Sequence, residues 1–346
     1  MSPSDGPAYD RCMNSPLPPG IDAEASMTED LGDALAEVEA IFETQLLSDF
    51  PAVNELCGHV ERYRGKRLRP TLVLLSGLAA AGGDPERGLS RRHRVLGAVV
   101  EMIHMATLVH DDVLDEADMR RRGATVNRLR GNETAVMLGD YLISNAFHLC
   151  SSLDDPAINL ELGAVTNTVC EGELLQLHHR DDLSLDEATC IEIVRRKTAA
   201  LVAGACRLGG RLSGASAEIE RGLAAYGEAT GIAFQIQDDL LDLSGDAEVV
   251  GKTLGRDLDK GKLTLPSVLH LAASGPERRE AMLVAIHARD GAGLRRELTE
   301  HGGVDAARTR AAAFVSEAVG HLATLPPSAS RDLLASLAEA VIHRSH

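Results

Sequence analysis

From about Met27 onward, apolar residues recur at the three- and four-residue spacing of a helix, broken only by short Gly, Pro and Asp punctuation at Ala81–Pro85, Asp154–Pro156 and Leu208–Gly210. No stretch alternates apolar and polar residues as a half-buried strand does. Composition agrees: aromatic residues make up 3% of the chain and Trp is absent, whereas the helix formers Ala, Leu, Glu and Arg are plentiful. With 346 residues, 44% of them hydrophobic, the chain can bury a large core. It shows no 20- to 50-residue repeat that would indicate a solenoid. The expected fold is all-α, a single large helical bundle around a central cavity. Residues 1–26, rich in Pro, Ser and Gly, are expected to be a disordered leader, and 27–346 one helical domain.

The formal net charge of −17 works against non-specific attraction to nucleic acid or an anionic surface. Any polyanionic ligand must be met by local groups. The six cysteines, at 12, 57, 150, 170, 190 and 206, form no C-x-x-C pair and read as reduced, mostly buried thiols. There is no run of eighteen apolar residues and no positive region followed by an apolar core at the N-terminus, so the expected location is cytoplasmic.

One acidic segment occurs twice. His110-Asp111-Asp112-Val113-Leu114-Asp115 recurs as Gln237-Asp238-Asp239-Leu240-Leu241-Asp242. In each copy the first and last aspartates are four residues apart, one helical turn, and so share a face. Apolar runs, Met102–Val109 and Ile232–Ile236, precede both copies and mark buried helices. Carboxylates carried into such surroundings need cations.

Basic residues gather elsewhere: Lys66, Arg67 and Arg69; Arg120, Arg121 and Arg122; Arg195, Arg196 and Lys197; and Lys252, Lys260 and Lys262 in the glycine-broken stretch from Asp242 to Lys262. Lys66 and Arg69, three apart, are expected on one helical face. Ser184, with Glu187 three residues on, is expected to cap the helix that carries Arg195 to Thr198. Because Mg²⁺ takes one or two carboxylates and completes its shell with water and phosphate oxygens, acid clusters together with basic clusters point to a metal diphosphate.

The segments GKRLRP, VEMIHMATLVHDDVLDEADMRRRGATVN, GNETAVMLGDYLISNAF, EGELLQL, RRKTAAL, FQIQDDLLD and GKTLGRDLDKGKLTLP together resemble the trans-isoprenyl diphosphate synthases, in particular the long-chain octaprenyl and heptaprenyl type, over about Leu31 to Arg344. The resemblance implies an isoprenoid-synthase bundle that condenses an allylic diphosphate with isopentenyl diphosphate. It implies three Mg²⁺ ions on Asp111, Asp115 and Asp238, with Asp112, Asp239 and Asp242 supporting. Arg120, Lys197, Lys252 and Lys262 would hold the allylic diphosphate, and Lys66, Arg69, His104 and Arg121 isopentenyl diphosphate. Thr198 and Gln235 would assist at the carbocation. The family's usual Arg-Arg-Gly is here Arg120-Arg121-Arg122-Gly123; counting from Asp115 and from Thr125 matches Arg120 and Arg121, and leaves open which two bind phosphate. A homodimer, and transient membrane contact during product release, are also implied.

The fifth and fourth residues before Asp111 are Ala106 and Thr107, neither of them an aromatic plug, and the first motif lacks the two-residue insertion of some short-chain members. By the resemblance these positions floor the product pocket, and a product longer than C20 is expected. Three alternatives stand beside that reading. One is a short-chain farnesyl or geranylgeranyl synthase. Another is a class I terpene cyclase, disfavoured by FQIQDDLLD and GKRLRP. The third is a non-catalytic subunit, disfavoured by the full set of acids and lysines.

Overall fold

Helices begin and end largely where the punctuation stands. The structure, a computed structural model, describes residues 25–343 except Arg62, Arg64, Lys66, Arg121, Arg122 and 245–259. In order these are α1 (Ala25–Leu46), α2 (Pro51–Glu61), α3 (Leu68–Ala80), α4 (Pro85–Gly88), α5 (Arg91–Leu114), α6 (Val126–Arg130), α7 (Asn132–Ser151), α8 (Pro156–His178) and α9 (Glu187–Val194). A five-residue π turn, Arg195–Ala199, joins α9 to α10 (Ala200–Leu212). Then come α11 (Ala217–Ser244), α12 (Leu265–Ala273), α13 (Pro276–His287), α14 (Gly291–Glu300), α15 (Gly303–His321) and α16 (Ala329–Ile342). The bundle is all-α as expected, apart from a two-residue ladder in which Met119–Arg120 (β1) pairs with Gly123–Ala124 (β2). Of the expected leader, residues 25 and 26 belong to α1, and residues 1–24 lie outside the described residues.

Aspartates start several helices. Asp155, followed by Pro156, accepts the Ala157 amide at 3.2 Å, and Asp84, followed by Pro85, accepts that of Glu86 at 3.0 Å. Two expectations need correction. The cap of α9 is Asp186, which accepts the Thr189 amide at 2.8 Å; Ser184 instead donates its hydroxyl to Asp182 at 2.6 Å. Leu208-Gly209-Gly210 is no break but lies inside α10, where a side chain on Gly209 would run into the Val73 carbonyl of α3. Those glycines serve close helix packing rather than a turn.

The main core forms around α5, whose residues Leu96, Val99, Met102, Ile103, Met105 and Ala106 are fully buried against α1, α3, α7 and α10. Tyr226 on α11 is enclosed there and donates its hydroxyl to the Leu334 carbonyl at 2.7 Å, tying α16 across the bundle. A second core gathers Ile236 and Leu240 of α11 with residues of α9, α12, α14 and α15. Phe314 touches both cores. Helix α11 therefore runs from one core to the other, and its second acidic motif faces α5 across the space between.

Candidate active site

That space is a cavity of about 1140 Å³. Asp111 and Asp112 stand on the last turn of α5 and Asp115 is its C-cap, while Asp238, Asp239 and Asp242 come from α11; all six line the cavity. Burial raises the Asp111 carboxyl above its ordinary range, and Glu173 and Asp115 add to the rise while Lys197 opposes it. Asp112 is pushed up to about 6, chiefly by burial, with Arg120 pulling it back. Carboxylates shifted this way mark a place short of positive charge.

Each described base of the predicted allylic site is paired with an acid. Lys262 Nζ lies 2.6 Å from Asp115 Oδ1, and Arg120 Nε donates to Asp112 Oδ1 at 2.8 Å. Lys197 Nζ lies 2.5 Å from Glu173 Oε2, 2.9 Å from Gln176 Oε1 and 3.9 Å from Asp111 Oδ1. Burial lowers the tendency of Lys197 to hold its proton, but Asp111 and Glu173 outweigh it and its pKa is raised, so the ammonium stays charged. Beside it the Thr198 hydroxyl donates to Gln235 Oε1 at 2.9 Å, and Gln235 Nε2 donates to Asp239 Oδ1 at 2.9 Å. This relay joins the π turn to the second aspartate motif.

Arg69, His104 and Glu101 also line the cavity, together with Leu337, Ala340 and Val341 of α16. Helix α3 starts only at Leu68, after Arg67 in the left-handed region at φ 53, which places Arg69 in its first turn; the helical face expected to be shared by Lys66 and Arg69 involves a residue outside the described ones. Lys66, Arg121 and Lys252 lie outside the described residues. Of the arginine triplet, Arg120 is the described member.

Two further expectations change. Arg195 and Arg196 are not free anion receptors: Arg195 pairs with Glu192 and Glu228, and Arg196 with Glu192 and Glu171. Ala106 is packed in the core and His104, Thr107 and Leu108 form that wall of the cavity, with Ile103 belonging to both. Glu173 and Gln176, unassigned from the sequence, belong to the site. Their signal was the i,i+3 pair within EGELLQL.

Among the described residues no three His, Cys, Asp or Glu side chains converge into a ready metal cage. The donors nevertheless fit a hard divalent cation, since all are carboxylates and such ions complete their shells with water and phosphate oxygens. The buried Asp112 Oδ2 has no hydrogen-bond partner, a further sign of cation shortage. Five described cysteines are free, four of them buried, and no described helix is long and apolar enough to cross a membrane.

A helical bundle that turns two aspartate clusters and a set of lysines and arginines onto one largely apolar cavity defines a metal-dependent enzyme acting on a diphosphate with a long apolar tail. Residues 51–297 match the Polyprenyl synthetase family. The chain is 36% identical to octaprenyl diphosphate synthase of Escherichia coli (strain K12) over 315 residues, 90% of this chain and 95% of that one. The crystal structure of a decaprenyl diphosphate synthase from Rhodobacter capsulatus superposes with a TM-score of 0.84 at 34% identity, covering 93% of this chain and 99% of that one. A polyprenyl synthase from Caulobacter crescentus, complexed with calcium and isoprenyl diphosphate, superposes with a TM-score of 0.86 at 31% identity, covering 95% and 100%. The chain belongs to the polyprenyl synthetase family and is a trans-prenyltransferase with a divalent metal cofactor.

Proposed function

We propose that the chain condenses an allylic diphosphate with isopentenyl diphosphate, in the presence of Mg²⁺, to give an all-trans polyprenyl diphosphate longer than C20. The observation that carries this reading is that one cavity is lined both by charged groups, Asp111, Asp115, Asp238, Lys197 and Lys262, and by the apolar side chains of Ile103, Leu108, Val136, Ile143, Val169 and Leu174. A diphosphate fits the first set and a growing hydrocarbon the second.

Asp111, Asp115 and Asp238 would hold Mg²⁺, three ions in the fully loaded site, supported by Asp112, Asp239 and Asp242. The bound metal supplies charge neutralisation at the leaving diphosphate. Lys197 and Lys262 leave Glu173 and Asp115 to contact the allylic diphosphate, and Arg120, oriented by Asp112, adds a third fixed positive group. Arg69 and His104, which line the same cavity, hold isopentenyl diphosphate, with Lys66, Arg121 and Lys252 completing the two sites. Thr198 and Gln235 present oxygen atoms near the reacting carbon, fixed by their relay to Asp239. The alkene of isopentenyl diphosphate is the nucleophile that forms the new bond, and the released diphosphate takes the final proton, so neither a protein nucleophile nor a protein base is required.

A cytoplasmic homodimer with transient membrane contact during release is part of the proposal. Met137 and Leu160, 64% and 77% exposed on α7 and α8, support a partner subunit. Each buried five-carbon unit adds roughly 3 to 4 kcal/mol of apolar burial, which makes long products slow to leave. The deciding experiment incubates the purified chain with Mg²⁺, farnesyl diphosphate and isopentenyl diphosphate and analyses products by mass spectrometry. Polyprenyl diphosphates longer than C20 are expected. A hydrocarbon from farnesyl diphosphate alone, or no product at all, would overturn the reading.

A further inference from the structure

The π turn at Arg195–Ala199 is approached from two sides by backbone that leaves no room for a side chain. A Cβ on Gly172 of α8 would stand 2.5 Å from the Lys197 amide nitrogen and 2.8 Å from Arg196 Cβ. One on Gly231 of α11 would stand 2.7 Å from Ala199 Cα and 2.9 Å from Ala199 Cβ. Neither glycine has a positive φ, so backbone freedom is not the reason for glycine here. Close approach is.

Each glycine has a glutamate nearby that draws an arginine of the turn outward. Glu171, next to Gly172, meets Arg196 at 2.6 Å, and Glu228, on the turn of α11 before Gly231, meets Arg195 at 3.0 Å. With both arginines so engaged, the two residues left to the cavity are Lys197 and Thr198. A π turn takes up one residue more than an α turn, and such turns occur often at functional sites because they re-aim side chains without ending the helix. The ion pairs are partly exposed and contribute little by themselves. The seat of the turn is set by the glycines.

We propose that Gly172 and Gly231 are positioning residues for the transfer reaction. The absence of a side chain at 172 lets the turn lie where the Lys197 ammonium reaches the space between Asp111 and Glu173, and the absence of one at 231 lets the Thr198 hydroxyl meet Gln235. This rests on the reading of Lys197 as a ligand of the allylic diphosphate. A displacement of the turn by about 1 Å is enough to cost up to a hundredfold.

The test is a double-mutant cycle of Gly172→Ala and Lys197→Gln, read by calorimetric binding of inorganic diphosphate with Mg²⁺ and by separate KM values for the two substrates. Lys197→Gln is expected to weaken diphosphate binding about tenfold or more. Gly172→Ala should do nearly the same, and the double variant should be no worse than Lys197→Gln alone, with KM for isopentenyl diphosphate unchanged throughout. Additive effects, or a Gly172→Ala protein that binds diphosphate normally while Lys197→Gln does not, overturn the positioning role. If Lys197→Gln itself binds normally, the ligand reading fails and the proposal fails with it. Should Gly172→Ala not fold, Gly231→Ala and Thr198→Ala form the cycle, read as non-additive loss of kcat at unchanged isopentenyl KM. If neither glycine variant folds, both are packing residues and the proposal is wrong.

Discussion

Lys262 Nζ and Asp115 Oδ1, 147 residues apart in sequence, stand 2.6 Å apart in the cavity lining, and the lysine side chain is only 7% exposed. The pair joins the residue that ends α5 to the chain that follows the second aspartate motif. It holds a cation where a diphosphate would need one. Removing Lys262 therefore takes one of the fixed positive charges from the site and leaves Asp115 without this partner.

Lys262→Ala is expected to lower kcat/KM by about a hundredfold, the cost typical of losing one preorganised charge donor. Lys260, which meets the exposed Glu116 at 3.3 Å, is a control from the same segment. Lys260→Ala should change kcat/KM severalfold at most. Steady-state kinetics of both variants with the allylic substrate varied decides the matter; equal effects would remove Lys262 from the special position given it here.

The wall of the cavity makes a second prediction. Thr107 lines it, whereas Ala106 sits in the core. Thr107→Phe is expected to shorten the product while leaving thermal stability near that of the parent. Ala106→Phe forces a large ring among fully buried neighbours and should destabilise the fold by about 1–3 kcal/mol or more. Product mass spectra and melting curves of the two variants test this together. A shortened product from Ala106→Phe at unchanged Tm would reverse the assignment.

These two positions show what was legible in the sequence. The apolar run before Asp111 announced a buried helix, and α5 is one; which of two adjacent residues faces the cavity depends on the helix's rotation against α7 and α10, which periodicity does not fix when both faces are buried. Both aspartate motifs and the Lys197–Thr198 pair were visible as residue types at helical spacing. The π turn was not, and the close backbone approaches of Gly172 and Gly231 that it packs against come from helices other than its own. Arg195 and Arg196 grouped with the basic clusters for a related reason: Glu192, at i,i+3 and i,i+4 spacing, was visible in the sequence, but their other partners Glu228 and Glu171 lie on distant helices. Gly209 and Gly210 looked like a break since local propensity says so, and tertiary packing overrode it.

The Thr198–Gln235–Asp239 relay predicts a separation of kinetic effects. Gln235→Leu removes both hydrogen bonds of the relay and leaves Thr198 and Asp239 without them. Because the oxygens it fixes act at the reacting carbon and not at the phosphates, kcat should fall about tenfold to a hundredfold while KM for the allylic diphosphate moves little. Single-turnover rates separate this from product release. A variant with unchanged kcat and raised KM would place Gln235 in binding instead.

The last prediction concerns stability. His93 is fully buried on α5, its Nε2 3.0 Å from the Gly209 carbonyl and its Nδ1 2.8 Å from the Ser90 hydroxyl. A carbonyl oxygen only accepts, so Nε2 carries a proton, and in the neutral ring that burial favours Nδ1 accepts from the Ser90 hydroxyl. Burial lowers the pKa from 6.5 to about 4. Between these values the unfolded chain binds a proton that the native chain does not. The contribution of neutral His93 is therefore complete above about pH 6.5 and is lost as pH falls, by about 2 kcal/mol between pH 7 and pH 5. Denaturant unfolding at those two pH values should show this drop in the parent and a smaller one in His93→Gln, whose side chain does not titrate there. Other groups contribute equally to both proteins, so the difference between the two slopes isolates the histidine. If parent and variant lose stability in parallel from pH 7 to pH 5, His93 is already protonated in the native protein and the neutral tautomer assigned to it is wrong.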